Sequence, residues 1–343
     1  MPSFPNFPTD CNSLLCKHLS PELFTKLRNR KTPRGFTLMQ AINSGIANPD
    51  SSIGVYAGDK ESYEVFSPLF DAIIKDYHGF KHDDIHQSNL DVSALNATDL
   101  DPDRKFIVST RIRVGRNLDA LPLGPGISEV QRLDVEKQVS SALTQLDDDL
   151  KGTYYPLNGM TEEVQEQLIK DHFLFKEGDR FLEAAGLNRE WPSGRGIFHN
   201  EEKTFLVWVN EEDQLRVISM QPGGNIKTVF ERLVKAITTL EKSLHFSHTE
   251  HLGYITSCPT NLGTAMRASV HIKLPKLAKE MDLFNTITQQ YHLQIRGIHG
   301  EHSESEDGIF DISNKRRLGV TEVECVQDMH NGVAALIATE KKL

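Results

Sequence analysis

The apolar residues of this chain change period near residue 103, and that change limits its possible architecture more than any other feature. Ahead of it the signals are helical. Ser20 can cap and Pro21 can fill the first turn of a helix to about Arg30, and a second helix follows Gly35. The segment Asp50 to Asp59, with Ser51, Ser52, Gly54 and Gly58, reads as a loop before a further helical stretch through Ile74. Beyond residue 103 the period becomes two, over Phe106 to Val114, Thr204 to Asn210, Leu215 to Met220 and Ala268 to Leu274, and the middle two are spaced as a hairpin. Helical stripes return at Ile226, Val229, Phe230, Leu233, Val234, Ile237 and Leu240, and again after a Thr321/Glu324 capping box. This order predicts an α+β chain: a small helical domain over 1–87, a polar and acidic linker over 88–103, and a larger domain over 104–343 built on a largely antiparallel sheet flanked by helices.

Composition narrows the function. A length of 343 residues suits about two domains, and 38 Lys plus Arg against 48 Asp plus Glu give a formal charge of −10, which argues against nucleic acid or an anionic membrane as partner. There is no apolar run of about 18 residues and no basic start with an apolar stretch, so a soluble, cytoplasmic protein is expected. The four cysteines, Cys11, Cys16, Cys258 and Cys325, are scattered, which indicates neither a disulfide framework nor a zinc site. Neither G-x-G-x-x-G nor a P-loop motif occurs, and no fixed-period repeat is present.

Strand geometry makes the arginines informative, because residues two apart share a face. Arg111 and Arg113 do so, as do Arg267, Ser269 and His271; Arg216 lies just inside the return strand and Arg296 precedes a glycine-containing loop. Converging guanidinium forks suit a polyphosphate, although each arginine taken alone also fits a surface ion pair. Glu211, Glu212 and Asp213 fall at the hairpin tip and Glu301 in the loop after Arg296, where they form either a solvated acidic turn or a carboxylate pair that needs a cation between its members. Cys258, before Pro259 and Thr260, is either a thiolate favoured by arginines and a hydroxyl or an inert buried thiol. His172 either meets phosphate or packs.

The run Cys258-Pro259-Thr260-Asn261-Leu262-Gly263-Thr264 resembles the signature of the phosphagen (guanidino) kinase family. So do Ser109 to Arg113, Gly194 to Asn200, Val209 to Asp213, Arg267 to His271, Arg296 to His302 and Asp311 to Asn314, so the resemblance spans essentially the whole chain. It implies reversible phosphoryl transfer between magnesium-bound ATP and a guanidino compound, with the magnesium carried on the nucleotide and no metal held by the protein alone. Carried over by motif, Ser109, Thr110, Arg111, Ile112, Arg113, His172, Arg216, Arg267, Ser269, Val270, His271, Arg296, Gly297 and Asp311 would bind nucleotide. Glu212, Glu301, Cys258 and Thr260 would hold the guanidinium, and Glu212, Glu301, Cys258, Arg216, Arg267 and Arg296 would serve the chemical step.

The short loop Ser51, Ser52, Ile53, Gly54, Val55, Tyr56 resembles that of the arginine-specific members of the family, where it meets the amino-acid end of the substrate, and Tyr77 and Glu301-His302 are of the same type. L-arginine or phosphoarginine is therefore the implied partner beside ATP or ADP, with lombricine, taurocyamine or creatine as alternatives within the family and a non-catalytic nucleotide-binding protein as the alternative outside it. The start of the chain and Ile85 to Pro102 look closer to creatine-specific members, which leaves monomer and homodimer both open. The polar stretch Ile298 to Asp307 is a candidate lid.

Overall fold

A computed structural model describes residues 2–297 and 308–343. The N-terminal part is helical: α1 (Leu14–His18), α2 (Pro21–Leu27), α3 (Leu38–Ala47), α4 (Ser62–Val65) and α5 (Ser67–His78). Ser20 caps α2 through its side chain and Pro21 opens it, while Thr37 and Gln40 close a reciprocal capping box on α3. Apolar side chains from these helices, among them Leu15, Phe24, Leu38, Phe66, Phe70 and Ile73, form one core that also takes in Leu252, Ile255, Leu262 and Leu318 from the second half of the chain. The helical layer is thus docked on the larger domain by burial rather than tethered to it.

That larger domain runs β1 (Ile107–Arg116), α6 (Glu129–Leu143), β2 (Gly152–Pro156), α7 (Glu162–Lys170), α8 (Arg180–Ala184), β3 (Gly196–Asn200), β4 (Phe205–Val209), β5 (Leu215–Pro222) and α9 (Ile226–Leu240). It continues with β6 (His248–Thr249), β7 (Gly253–Tyr254), β8 (Met266–Lys273), α10 (Met281–Gln290), β9 (Leu293–Arg296), β10 (Ile309–Asn314) and α11 (Glu322–Lys342). Eight strands pair antiparallel in the order β2-β3-β4-β5-β1-β8-β10-β9, and β6 with β7 makes a separate short hairpin. One face of the sheet is closed by α9 and α11: Ile112, Val114, Val217, Ala268, Val270 and Ile312 pack with Phe230, Leu233, Val326 and Val333 in a single core. On the other face, Ile197, Leu206, Trp208 and Ile218 of β3–β5 pack with Leu168, Leu174 and Phe175 in a smaller apolar cluster.

One expectation needs correction. Cys11 and Cys16 are joined as a disulfide, because the turn capped by Ser13 and the first turn of α1 bring their Cα atoms to 6.3 Å. The segment 88–103 is fastened down: Ser88 and Asn89 donate to the buried Glu322, Asn96 bonds Gln327, Leu95 enters the core, and Asp101 collects the N–H groups of Lys105, Phe106 and Ile107. Six strands, β2, β3, β6, β7, β9 and β10, lie outside the runs where alternation was read.

Candidate active site

Directly opposed residues on antiparallel neighbours project to the same side of a sheet. Between β1 and β8 the register sets Arg113 opposite Arg267, Arg111 opposite Ser269 and Ser109 opposite His271. On one flank β5 places Arg216 opposite Gly115; on the other, β10 places Asp311 opposite His271, and β9 places Arg296 opposite Asp311. Five arginines therefore stand on one face across five neighbouring strands. Thr110, Ile112 and Val270, being one residue out of step, face the other way. The Thr110 hydroxyl donates to the Gly223 carbonyl at 2.7 Å, and Ile112 and Val270 are buried in the core, so these three side chains do not join the arginine face.

The face is charged in advance. Arg111 is pulled down to about 10 by burial and then by Arg216 and Arg267, and Arg113 is lowered further by burial, Arg216, Arg111 and Arg267. Like charges held together out of water create a standing demand for an anion. Asp311 answers a small part of it, accepting from Arg267 at 2.7 Å and lying 3.4 Å from His271 Nε2, while the Nε atoms of Arg111 and Arg267 are buried with no hydrogen-bond partner among the described residues. The guanidinium groups of Arg111 and Arg216 lie over the Trp208 ring at 5.5 and 5.7 Å, which steadies both.

At the β4–β5 turn the balance of charge reverses. Asn210 takes a positive φ of 57°, tolerable for asparagine, and its side chain donates to the carbonyls of Arg132 and Gly194, which sets the course of Glu211, Glu212 and Asp213. Asp213 accepts from the Asn117 side chain and from both the backbone and the hydroxyl of Ser257, each at 2.9 Å. Arg216 reaches Glu211 at 3.0 Å and Glu212 at 3.3 Å, and the Asn261 amide donates to Glu212 at 3.4 Å. Burial pushes the Glu212 carboxyl up to about 7, opposed by Arg216 and reinforced by Glu211 and Asp213. The Cys258 sulfur sits 3.1 Å from the Thr260 hydroxyl. Burial and then Glu212 push its thiol up to about 12, with Thr260 working the other way. The expectation that arginines favour the thiolate is thus reversed in the free protein, where burial and the Glu212 carboxylate outweigh the nearby Arg317.

The loop Ser51 to Tyr56 is held beside this carboxylate–thiol pair by main-chain bonds. Leu14 and Leu15 donate to the carbonyls of Ser52 and Ile53, Gly45 to that of Gly54, and Ala57 to that of Ser257, the neighbour of Cys258. Gly54 has a φ of +82°, and a Cβ there would lie 2.9 Å from Leu15 Cβ, so glycine is what permits the approach. The Tyr56 phenol is raised by burial and then by the nearby Cys258 and Glu212, which places the end of this loop at the same pocket. From α5, His78 contacts the Pro259 carbonyl at 2.8 Å and Tyr77 interacts with Arg317.

His172 lies exposed after α7, in a segment fixed by a Trp208 Nε1 bond to the Phe173 carbonyl. Gly297 ends the described stretch after β9, and Glu301, His302 and the candidate lid Ile298 to Asp307 lie outside the described residues. Arg317 and Asn261 were missed as site residues, although both border the cleft formed by Arg113, Asp213, Arg216 and Arg267. Two larger cavities lie at the β2–β3 edge, one lined by Asp148, Asp149, Glu201 and Glu202 with Lys151 and the other mostly apolar, and neither brings an arginine to its wall.

Comparison with known proteins agrees with this geometry. Residues 9–75 match the N-terminal domain of ATP:guanido phosphotransferase and residues 134–343 match its C-terminal catalytic domain. An arginine kinase of Anthopleura japonica is 57% identical over 338 residues, covering 97% of this chain and 47% of that protein, so the chain spans about half its length. An arginine kinase of Artemia franciscana is 56% identical over 336 residues, covering 97% of this chain and 94% of the relative. A crystal structure of lombricine kinase superposes with a TM-score of 0.91 at 42% identity, covering 98% of this chain and 94% of that one.

Proposed function

We propose that this chain, which belongs to the ATP:guanido phosphotransferase family, reversibly transfers the γ-phosphoryl group of ATP to the guanidino nitrogen of L-arginine and so buffers ATP as a phosphagen kinase. One observation carries the reading: a face of like-charged arginines abuts a pocket of buried carboxylates and a thiol, so an anion and a cation are invited to adjacent places. The arginine loop type and the arginine kinases among the relatives favour L-arginine over lombricine, taurocyamine or creatine.

In this mechanism Arg111, Arg113, Arg216, Arg267 and Arg296 position the phosphates and stabilise the charge spread over the transferred group, which phosphoryl transfer needs more than covalent help. The nucleotide enters as its magnesium complex. Among the described residues the one carboxylate on the arginine face, Asp311, is already engaged by Arg267 and His271, which fits a metal carried by the substrate. Glu212, with Glu301 from outside the described residues, aligns the guanidinium, and one of the two accepts its proton; Cys258 and Tyr56 border the same cation. Asp213, tied to Ser257 and Asn117, fixes the turn on which Glu212 sits. Among the described residues no helix is long and apolar enough to cross a membrane, and we place the protein in the cytoplasm with its nucleotide.

A coupled assay with magnesium-ATP and a panel of L-arginine, lombricine, taurocyamine and creatine tests the proposal. Fastest turnover with arginine is expected. Preference for another guanidino compound overturns the substrate, and no turnover with any overturns the activity.

A further inference from the structure

Away from the arginine face, three segments distant in sequence bring metal-binding side chains together. Asp71 comes from the second turn of α5, His82 from the turn that follows the Gly79 cap, and His251 from the turn between β6 and β7. One ligand atom of each lies within 4.8 Å of those of the other two. His82 Nδ1 is 2.9 Å from an Asp71 oxygen, and the His82 and His251 rings meet edge to face at 5.8 Å. We propose that Asp71, His82 and His251 form a binding site for a divalent transition-metal ion of the zinc class, tying the N-terminal helical layer to the β6–β7 turn of the sheet domain.

Three features support a ligand set over a chance meeting. His251 Nδ1 donates to the Asp84 carbonyl at 2.7 Å, which fixes the tautomer and assigns coordination to Nε2, the arrangement that orients metal-binding imidazoles. The Phe80 ring, 5.3 Å from that of His251 at 32°, restrains the ring's orientation further. The His82 side chain is 73% exposed, so its contact with Asp71 has little worth as an ion pair and is readily exchanged for a shared metal. Metal–nitrogen and metal–oxygen bonds of about 2.0–2.2 Å would bring the ligand atoms to about 3.3 Å apart, a closure that rotation of an exposed histidine supplies. Two imidazoles and one carboxylate suit zinc, cobalt or nickel, with water completing the shell. They do not suit magnesium, which keeps to oxygen and water, so the site is chemically distinct from the ion that accompanies the nucleotide.

The test is calorimetric titration of zinc into the untagged full chain, with magnesium as a parallel probe, on the natural protein and on His251→Ala, His82→Ala and Asp71→Asn. One equivalent of zinc is expected to bind, weakened about tenfold or more by each substitution, with no matching magnesium isotherm. The thermal midpoint of the natural protein should rise by about 2 °C near ten times the dissociation constant and stay put in His251→Ala. Cobalt in place of zinc should give a visible spectrum without the near-ultraviolet thiolate band that binding at Cys258 or Cys325 would produce. Asp71→Asn keeps the shape of the side chain, so its result stands even if a histidine variant misfolds. Zinc affinity unchanged across the three variants, absence of the one-equivalent isotherm, or a thiolate band overturns the proposal.

Discussion

The arginine face and the carboxylate–thiol pocket are neighbours built on opposite terms. The arginines sit on paired strands, each position fixed by ladder hydrogen bonds, and they keep their charge at the expense of mutual repulsion, as the depression of Arg111 and Arg113 records. The pocket is assembled from turns, and its groups are held toward their neutral forms: Glu212 near 7 and Cys258 near 12. A rigid lattice can store unmatched charge, whereas a pocket of loops gives its charge up to protons until a cation arrives. The two halves therefore await their ligands in different states.

The sharpest way to break this contrast is at the arginines. Arg267→Ala should lower turnover by about 10²- to 10³-fold, as loss of a preorganised charge donor does elsewhere, with Arg267→Lys recovering only part because the planar guanidinium that bonds Asp311 is lost. Single-turnover rates measure it, and a loss under about threefold would remove Arg267 from the charge-stabilising set. Glu212→Gln comes next, with a slower chemical step by at least about tenfold, roughly 1.4 kcal/mol. Cys258→Ala should reduce turnover less, without unfolding; unchanged kinetics in a folded variant would make the thiol a packing group.

Acidity sharpens the comparison further. A carboxyl raised to about 7 is increasingly protonated as pH falls through 7, and an entering guanidinium favours its ionised form. Arginine affinity should therefore weaken below about pH 7, with proton release on binding, while magnesium-nucleotide affinity changes less over the same range, since the arginines stay charged. Calorimetry in buffers of different ionisation enthalpy reads the proton directly, and Glu212→Gln should abolish the release. The smallest effect expected is at Thr260. Its hydroxyl draws the thiol down, so Thr260→Val should move the onset of Cys258 alkylation to higher pH with only a modest change in turnover.

The same contrast governs what the sequence discloses. Arg111, Arg113, Arg267, Ser269 and His271 were legible as a face because a strand's period is two, and the capping box on Thr321 is a local rule obeyed locally. β2 escaped notice since, as an edge strand, it shows no alternation of buried and exposed residues. The pocket was readable only through family resemblance, because no period links Tyr56, Glu212 and Cys258. Arg317, in the run Lys315-Arg316-Arg317, looks like part of a solvated basic turn, yet it is half-buried beside Thr260 and Asn261. Thr110, Ile112 and Val270 were swept in with their neighbours because a motif is contiguous, and a strand face is not.

The alternation along β1 makes this site a matter of parity. One residue inserted between Ser109 and Arg113 would turn the guanidiniums upstream or downstream of it into the α9–α11 core and bring Ile112 or its neighbours out, whereas two residues would restore the original sides with only a shifted ladder. Length changes in this strand are thus sorted by odd and even rather than by size. A catalytic surface of this kind can drift freely in side-chain identity on its outer positions while its reading frame in space is locked by the fold itself.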